Sequence, residues 1–251
     1  MIKFISYASL KTVCMLLLIS FSASVISGKA TYPSPDAGSK ILKSQFTRTS
    51  VTTDGLPEKA WNSAEPSVID IAMNASLSAS DPACQVRARV RSLWDGALIY
   101  FLVEVDDSDL ATAGKRPGDR DGVEICLDLF NDKFPKNEED DMIIRIGSNG
   151  EVTGSGPYEA RLRSAAAKVN LEGQTVKGYS VEFAIYSGGL SVKNGTAIGI
   201  DFGINEAVSS TNTCRNRIFW NNGSNRGLDD NSGWGTLILG GYNSRKPMAT
   251  D

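Results

Sequence analysis

The sequence predicts an all-β protein, a two-sheet antiparallel β-sandwich of jelly-roll type that forms a single domain. Three observations predict this fold. Apolar and polar residues alternate with a period of two through the middle of the 251-residue chain. Clusters of Gly, Asn, Asp and Pro separate the alternating runs, as turns do. Only residues 157–168 have a helical pattern. Strands with one apolar face need a second sheet to cover it, which favours a sandwich.

Seven runs show this alternation and are predicted to be strands. Their inward-facing positions are Val86, Ala88 and Val90; Ile99, Phe101, Val103 and Val105; Val123, Ile125, Leu127 and Leu129; Ile144 and Ile146; Tyr179, Val181, Phe183 and Ile185; Ile198, Ile200, Phe202 and Ile204; and Leu237 and Leu239. We expect a core between the two sheets that includes Val123, Ile125, Leu127, Phe183, Ile185, Ile200, Phe202 and Ile204.

Residues 1–30 have the pattern of a signal peptide. Lys3 and Lys11 precede a short apolar run over residues 13–21, and small residues follow it. The run is too short for a comfortable membrane span, although an uncleaved N-terminal anchor is the alternative interpretation. Cleavage would leave 23 basic residues against 29 acidic ones, a mildly acidic chain. The pattern therefore predicts a secreted or periplasmic protein with no membrane span in the mature chain.

The rest of the chain divides by composition. Residues 31–50 are rich in Ser, Thr, Pro and Lys and are predicted to be a linker. The sandwich is expected over residues 51–241, followed by a loose tail over residues 242–251. The middle region is long enough for one domain with a substantial core.

The composition excludes several classes of function. The chain has no histidine, so Ser-His-Asp and Cys-His catalysis are ruled out, together with most zinc and haem sites. No basic tract is long enough to indicate nucleic-acid binding. Beyond the signal peptide, Cys84, Cys126 and Cys214 could form one disulfide in any of three pairings, and their spacing fits no metal site.

Carboxylates are the remaining groups with catalytic or metal-binding chemistry. Glu124 and Asp128 share one strand face, as a glycosidase pair would, but nothing in the sequence raises the pKa of either, so catalysis is not favoured. Acidic clusters at residues 106–109, 137–141 and 229–230 offer the oxygen ligands that Ca²⁺ prefers. Solvated acidic turns are the alternative. The sequence requires no cofactor, and Ca²⁺ is the one candidate.

The residues that alternate with the core positions are unusually polar. This set is either a solvated outer sheet or a polar concave surface that binds a polar ligand through hydrogen bonds. Its members are Arg87, Arg89, Arg91, Glu104, Asp106, Glu124, Asp128, Arg145, Asp201 and Asn205.

Six segments, in order, resemble the family-9 carbohydrate-binding modules that occur in secreted xylanases and other exported proteins. The resemblance covers about residues 51–240. The segments are Asp54–Trp61, Val90–Asp106, Asp121–Asp128, Gly178–Ile185, Gly199–Asn205 and Trp234–Leu239.

This resemblance implies a non-catalytic β-sandwich that binds glycans, including oligosaccharides of plant polysaccharides, in some members at the reducing end of the chain. Two tryptophans clamp the sugar in those members, polar side chains bind its hydroxyls, and members with bound calcium are known. The polar positions of the family match Glu124, Arg145 and Asn205, and a loop asparagine matches Asn225.

The clamp itself does not match. Gly118 and Leu228 stand where the two tryptophans are expected, and Gly203 replaces a polar residue. We therefore expect weak binding of simple sugars. The alternative function is a structural or protein-interaction sandwich that has lost the sugar site. The four tryptophans that are present match framework positions: Trp61, Trp94, Trp220 and Trp234.

Overall fold

A computed structural model describes residues 39–72, 86–169, 178–187, 190, 192–210, 213–222 and 230–243. The predicted signal peptide, Cys84, Asn225 and Leu228 lie outside these residues, as do most residues of the predicted tail. The described residues belong to one compact unit.

Thirteen strands and very little helix make up the described part of the chain. The strands are β1 (Ile41–Phe46), β2 (Ser67–Ile69), β3 (Ile71–Ala72), β4 (Arg87–Trp94), β5 (Leu98–Asp106), β6 (Gly122–Asp128), β7 (Asp141–Gly147), β8 (Val152–Ser155), β9 (Leu162–Val169), β10 (Gly178–Tyr186), β11 (Ala197–Val208), β12 (Thr213–Phe219) and β13 (Gly235–Gly240). The helical elements are α1 (Tyr158–Arg161) and the short 3-10 helices Lys59–Ser63, Pro117–Asp119 and Asn231–Gly233.

The strands form the two layers of the predicted sandwich. Hydrogen bonds connect them in the order β8-β7-β6-β11-β13-β1-β4-β5-β10-β9, and β12 pairs with β11 outside this path. The twelve-residue strand β11 joins the layers, because its first residues pair with β13 and its later residues with β6 and β12. Aromatic rings pack against each other between the layers, where the ring centroids of Phe202 on β11 and Phe101 on β5 lie 5.8 Å apart. The all-β sandwich prediction is confirmed.

The predicted core is also confirmed. All eight residues expected between the sheets are at most 2% exposed. The four tryptophans are buried as well, which agrees with framework positions. Trp61 donates its indole N–H to Glu182, Trp94 to the Gly240 carbonyl and Trp220 to Ser67. Pairing of the indole N–H is what a buried tryptophan requires.

The predicted linker over residues 31–50 is wrong for residues 41–46, which form β1. This strand lies between β13 and β4 and runs parallel to both, whereas the other strand pairs of the described residues are antiparallel. Leu42 and Ser44 face inward, and the Ser92 hydroxyl donates to that of Ser44 at 2.8 Å. Because one of the two inward residues is a serine, the hydrophobic alternation that would reveal the strand is too weak to see.

The helical pattern over residues 157–168 is also misleading. Only Tyr158–Arg161 is helical, and Leu162–Val169 is strand β9, which pairs with β10 along most of its length. Its three consecutive alanines favour a helix in isolation. Pairing with the exposed edge of a buried sheet outweighs that preference, which amounts to less than about 1 kcal/mol per residue.

Among the residues described, no helix has the length and apolar character needed to cross a membrane.

Candidate functional site

An ion pair between adjacent strands forms the centre of the candidate site. Glu124 on β6 lies opposite Arg145 on β7, so that their side chains share one face of the layer. The Nη1 atom of Arg145 lies 2.7 Å from Oε1 of Glu124, and both residues are buried. A charge-assisted bond of this kind is short and directional, and it fixes the orientation of both side chains.

Arg217 on β12, which the sequence analysis did not single out, completes the cluster. Its Nη2 lies 3.3 Å from the same Oε1 of Glu124, and its Nε donates to Oδ1 of Asn205 at 3.0 Å. Asn205 lies opposite Arg217 on the neighbouring strand β11. The residues Glu124, Arg145 and Asn205 therefore lie in one cluster, and Arg217 connects them.

The chain just before β6 forms one wall of this site. Asn205 donates through Nδ2 to the carbonyls of Gly118 and Arg120, both at 2.8 Å, and Arg145 donates to the Arg120 carbonyl at 2.8 Å. The Arg120 guanidinium pairs in turn with Glu151. A shallow crevice beside Arg145 is lined by Pro117, Arg120, Arg145, Gly147, Glu151 and Thr153.

Two glycines border the site, and Gly118 leaves open space beside it. A Cβ atom at Gly118 would meet nothing within 4 Å. At Gly203 it would lie 3.5 Å from Oε2 of Glu124, which is buried and has no hydrogen-bond partner. The site therefore has free space at Gly118, where relatives are expected to carry a tryptophan. Beside Gly203 it contains a buried carboxylate oxygen that accepts no hydrogen bond.

The polar strand faces were predicted to be either a solvated outer sheet or a ligand-binding surface, and the two layers of the structure differ in this respect. On β4 and β5, Arg89 and Arg91 pair with Glu104 at a partly solvated surface. On β6, β7 and β11 the polar residues are buried, namely Glu124, Asp128, Arg145, Asp201 and Asn205. The solvated-sheet interpretation thus holds for one layer only. Asp201 has a structural role, because it accepts hydrogen bonds from the backbone of Phe202, Asn221 and Asn222.

Tyr158 is an aromatic residue near β8, but it lies on the face of the layer opposite to the Glu124 cluster. Its ring packs over Gly154, and Gly154 lies opposite the core residue Ile144. Arg145 faces the other way, opposite Thr153. Tyr158 therefore cannot form a platform for a ligand at the Glu124 cluster.

A second group of acids lies at the far end of β6. Side-chain oxygens of Asp128, Asp140 and Asp141 lie within 4.8 Å of one another. Asp128 and Asp141 each use Oδ2 for hydrogen bonds and leave a buried Oδ1 without a partner, and Oδ1 of the buried Asn231 is also unpartnered. Burial raises the pKa of Asp128 to about 6 and also raises that of Asp141.

This acidic group fits a hard cation in both chemistry and burial. Carboxylate and amide oxygens are the ligands that Ca²⁺ takes, and three of them lack any other partner. Of the predicted acidic clusters, only residues 137–141 contribute to a group of this kind within the described ranges. Asp128 and Asn231 come from elsewhere in the chain, so the sequence alone could not assemble the set.

The Cys126 thiol is buried, takes part in no disulfide, and has a pKa raised by burial. Of the three cysteines beyond the predicted signal peptide, Cys84 and Cys214 remain as the pair that could form a disulfide, and their side chains are not described.

The fold is a β-sandwich, and one of its layers carries a cluster of paired charges and an amide, which is an arrangement suited to binding a polar ligand. The sequence model of the family described as "Carbohydrate family 9 binding domain-like" matches residues 53–242. The chain therefore belongs to this family of carbohydrate-binding, non-catalytic modules.

Known proteins agree with this assignment. A family 9 module from Caldicellulosiruptor kristjanssonii, solved with glucose, is 26% identical, with a TM-score of 0.70 over 82% of this chain and 99% of that one. The same kind of module solved with cellotriose is 27% identical, with a TM-score of 0.71 over 84% of this chain and all of that one. An endo-1,4-beta-xylanase A from Thermoanaerobacterium saccharolyticum is 32% identical over 189 residues, 75% of this chain but only 15% of the xylanase.

Proposed function

We propose that the chain is an exported binding module that holds a glycan at Glu124, Arg145 and Asn205, with Arg217 as a further contact and Asn225 as the fourth residue that the family resemblance implies. The observation that carries the proposal is the convergence of the three predicted side chains in one cluster. Sugars present alternating hydroxyl donors and acceptors, which such a cluster of fixed donors and one unpartnered acceptor complements. Export rests on the signal-peptide pattern of residues 1–30.

Calorimetry with glucose and cellotriose tests the proposal. We expect weak binding by the wild type, about millimolar or −4 kcal/mol, since no ring projects from Gly118. Glu124→Gln should weaken it at least roughly tenfold, because the sugar then loses an oriented carboxylate worth about 1.5–3 kcal/mol. Glu139→Gln, an exposed acid outside the cluster, is the matched control. Circular dichroism establishes that each variant is folded.

The competing function is a structural or protein-interaction sandwich. A folded wild type that binds no member of a broad glycan array would contradict the sugar-binding proposal and favour this competing function. Recognition of chain ends is tested with cellotriose whose reducing end has been converted to an alditol. Loss of binding after reduction supports recognition of the reducing end, and unchanged binding supports recognition along the chain.

We also propose that Asp128, Asp141 and Asn231, with Asp140, hold a structural Ca²⁺. Three buried oxygens without partners support this assignment, since each would otherwise lose the solvation that it has in the unfolded chain. The ion would neutralise the repulsion between Asp128 and Asp141 and fix the end of β6 to the start of β7. The proposal concerns stability and is independent of the sugar site.

Thermal unfolding with and without Ca²⁺ at pH 7.5 tests this site. We expect Ca²⁺ to raise the melting temperature of the wild type by several degrees, since a ligand at 100 times its Kd stabilises by about 2.7 kcal/mol. Asp128→Asn should abolish the response, whereas Glu139→Gln, in the same loop, should retain it. An equal response in Asp128→Asn and the wild type would contradict the assignment.

A further inference from the structure

We propose that the ligand of this site carries a carboxylate, so that the module binds a uronate residue of a glycan in preference to a neutral hexose. This inference rests on the proposed function and specifies its ligand class. It is carried by the charge of the cluster, by the one acceptor that the cluster leaves unused and by the missing ring at Gly118.

The central cluster has one positive charge in excess. Arg145 and Arg217 both contact the same oxygen of Glu124, at 2.7 and 3.3 Å, so that two guanidinium groups share one carboxylate. Their side chains are 9% and 24% exposed, and that of Glu124 is 7% exposed. A positive charge removed from water to this extent is costly unless an anion compensates it.

Other acids near the site are engaged elsewhere. Glu151 pairs with Arg120, and Asp119 accepts two bonds from the Arg116 guanidinium and one from its backbone N–H. Asp121 accepts bonds from the backbone of Ala111 and Ala207. Glu206 follows Asn205 on β11, so its side chain leaves the strand on the opposite face. Among the described residues, Glu124 is therefore the acid that faces both Arg145 and Arg217.

The cluster also requires a hydroxyl donor. Oε2 of Glu124 is buried without a partner beside Gly203, which has no side chain, and the Phe219 ring packs there, 3.2 Å from where a Cβ atom would lie. A simple anion such as acetate satisfies the guanidinium groups but not this acceptor. A neutral sugar satisfies the acceptor but not the excess charge. A sugar acid carries both groups, and a planar guanidinium binds a carboxylate in a directional, two-point geometry.

The absence of an aromatic side chain at residue 118 favours the same ligand. A neutral sugar depends on ring stacking for much of its affinity, and Gly118 provides none. A charged sugar gains its affinity from the guanidinium groups and depends less on a ring. The loss of the tryptophan and the excess positive charge thus change specificity in the same direction.

Calorimetry with glucuronate, glucose and acetate tests this inference, because glucuronate and glucose differ only at C6. We expect the wild-type protein to bind glucuronate at least about tenfold more tightly than either of the other two. The glucuronate affinity should fall in 0.5 M NaCl, as expected for a charge-dependent contact, while that of glucose stays constant. Arg217→Gln should remove the preference, and Arg91→Gln, on the other layer, should keep it.

Each alternative outcome has a distinct meaning. Equal affinity for glucuronate and glucose overturns the uronate assignment and leaves the proposed sugar site intact. Equal affinity for glucuronate and acetate shows a general anion site and also overturns it. Failure of the wild type to bind any glycan overturns the proposed function itself. If Arg217→Gln does not fold, Arg217→Lys decides: it keeps the charge but not the planar fork, so a weaker, still salt-dependent preference is expected, and an unchanged one contradicts the role of Arg217.

Discussion

Gly118 lies at the edge of the candidate site and contacts it only through its backbone. Its carbonyl accepts a hydrogen bond from Asn205 at 2.8 Å, and a side chain at this position would extend into open space. The position can therefore accept a large residue without disturbing the contact that fixes it. This makes residue 118 the place where an aromatic contact to a neutral sugar can be restored.

We predict that Gly118→Trp increases the affinity for cellotriose by roughly tenfold or more, since stacking on one aromatic ring contributes about 1–3 kcal/mol. Calorimetry measures the change, and Gly118→Ala, which adds no ring, should bind like the wild type. Leu228→Trp is the second change to combine with it. Micromolar binding of cellobiose by the wild type would contradict the premise, because another residue would then supply the missing contact.

At the level of single residues, the site was predictable only in part. The resemblance to family 9 modules identified Glu124, Arg145 and Asn205, and their meeting follows from the register of β6, β7 and β11. Arg217 was missed because β12 shows no clear alternation, and its contact to Asn205 depends on which residues of the two strands lie opposite each other. An irregularity between Glu206 and Ala207 shifts that register, and sequence alone does not reveal such a shift.

At the level of elements, the strands with strong alternation were predictable and those with weak alternation were not. β5, β10 and β11 carry four apolar residues each at every second position and β6 carries three, so one buried face specifies them. β1 and β9 lack this pattern, and their strand conformation comes from neighbours that are distant in sequence, β13 and β10. Their strand conformation results from pairing in the folded protein, and the local sequence of residues 31–50 or 157–168 does not reveal that pairing.

The sequence also did not show how much of the polar face would be buried. All seven residues of β6 are buried, although Glu124 and Asp128 alternate with apolar residues as solvent-facing positions would. The reason is that further chain covers this face. The Pro117–Asp119 turn and Arg217 of β12 meet the Glu124 end, while the loop between β6 and β7 and the Asn231–Gly233 turn meet the Asp128 end.

Across the whole molecule, several carboxyl groups are buried with few positive partners. Burial raises the pKa of Asp121, Glu182 and Asp201 to about 7 each. Glu182 fixes the segment before β2 to the outer surface of β10, because it accepts bonds from Trp61 at 2.7 Å and from the backbone of Gly55 at 2.9 Å. The folded state therefore binds more protons than the unfolded chain between about pH 4 and pH 7.

This proton excess fixes the sign of the pH dependence of stability. A carboxyl whose folded pKa lies above its unfolded value stabilises most when it is protonated, so stability falls as pH rises from about 4 to 7. We predict that, without calcium, the melting temperature falls from pH 5 to pH 8. Glu182→Gln removes one titrating group and should make that decline shallower. The side-chain NH₂ group of the new glutamine faces N–H donors such as that of Gly55, so the variant is expected to be less stable at every pH. Glu65→Gln, at an exposed position, should keep the wild-type slope. Thermal unfolding across the pH range measures both slopes, and equal slopes for Glu182→Gln and wild type would show that Glu182 is ionised in the folded protein throughout.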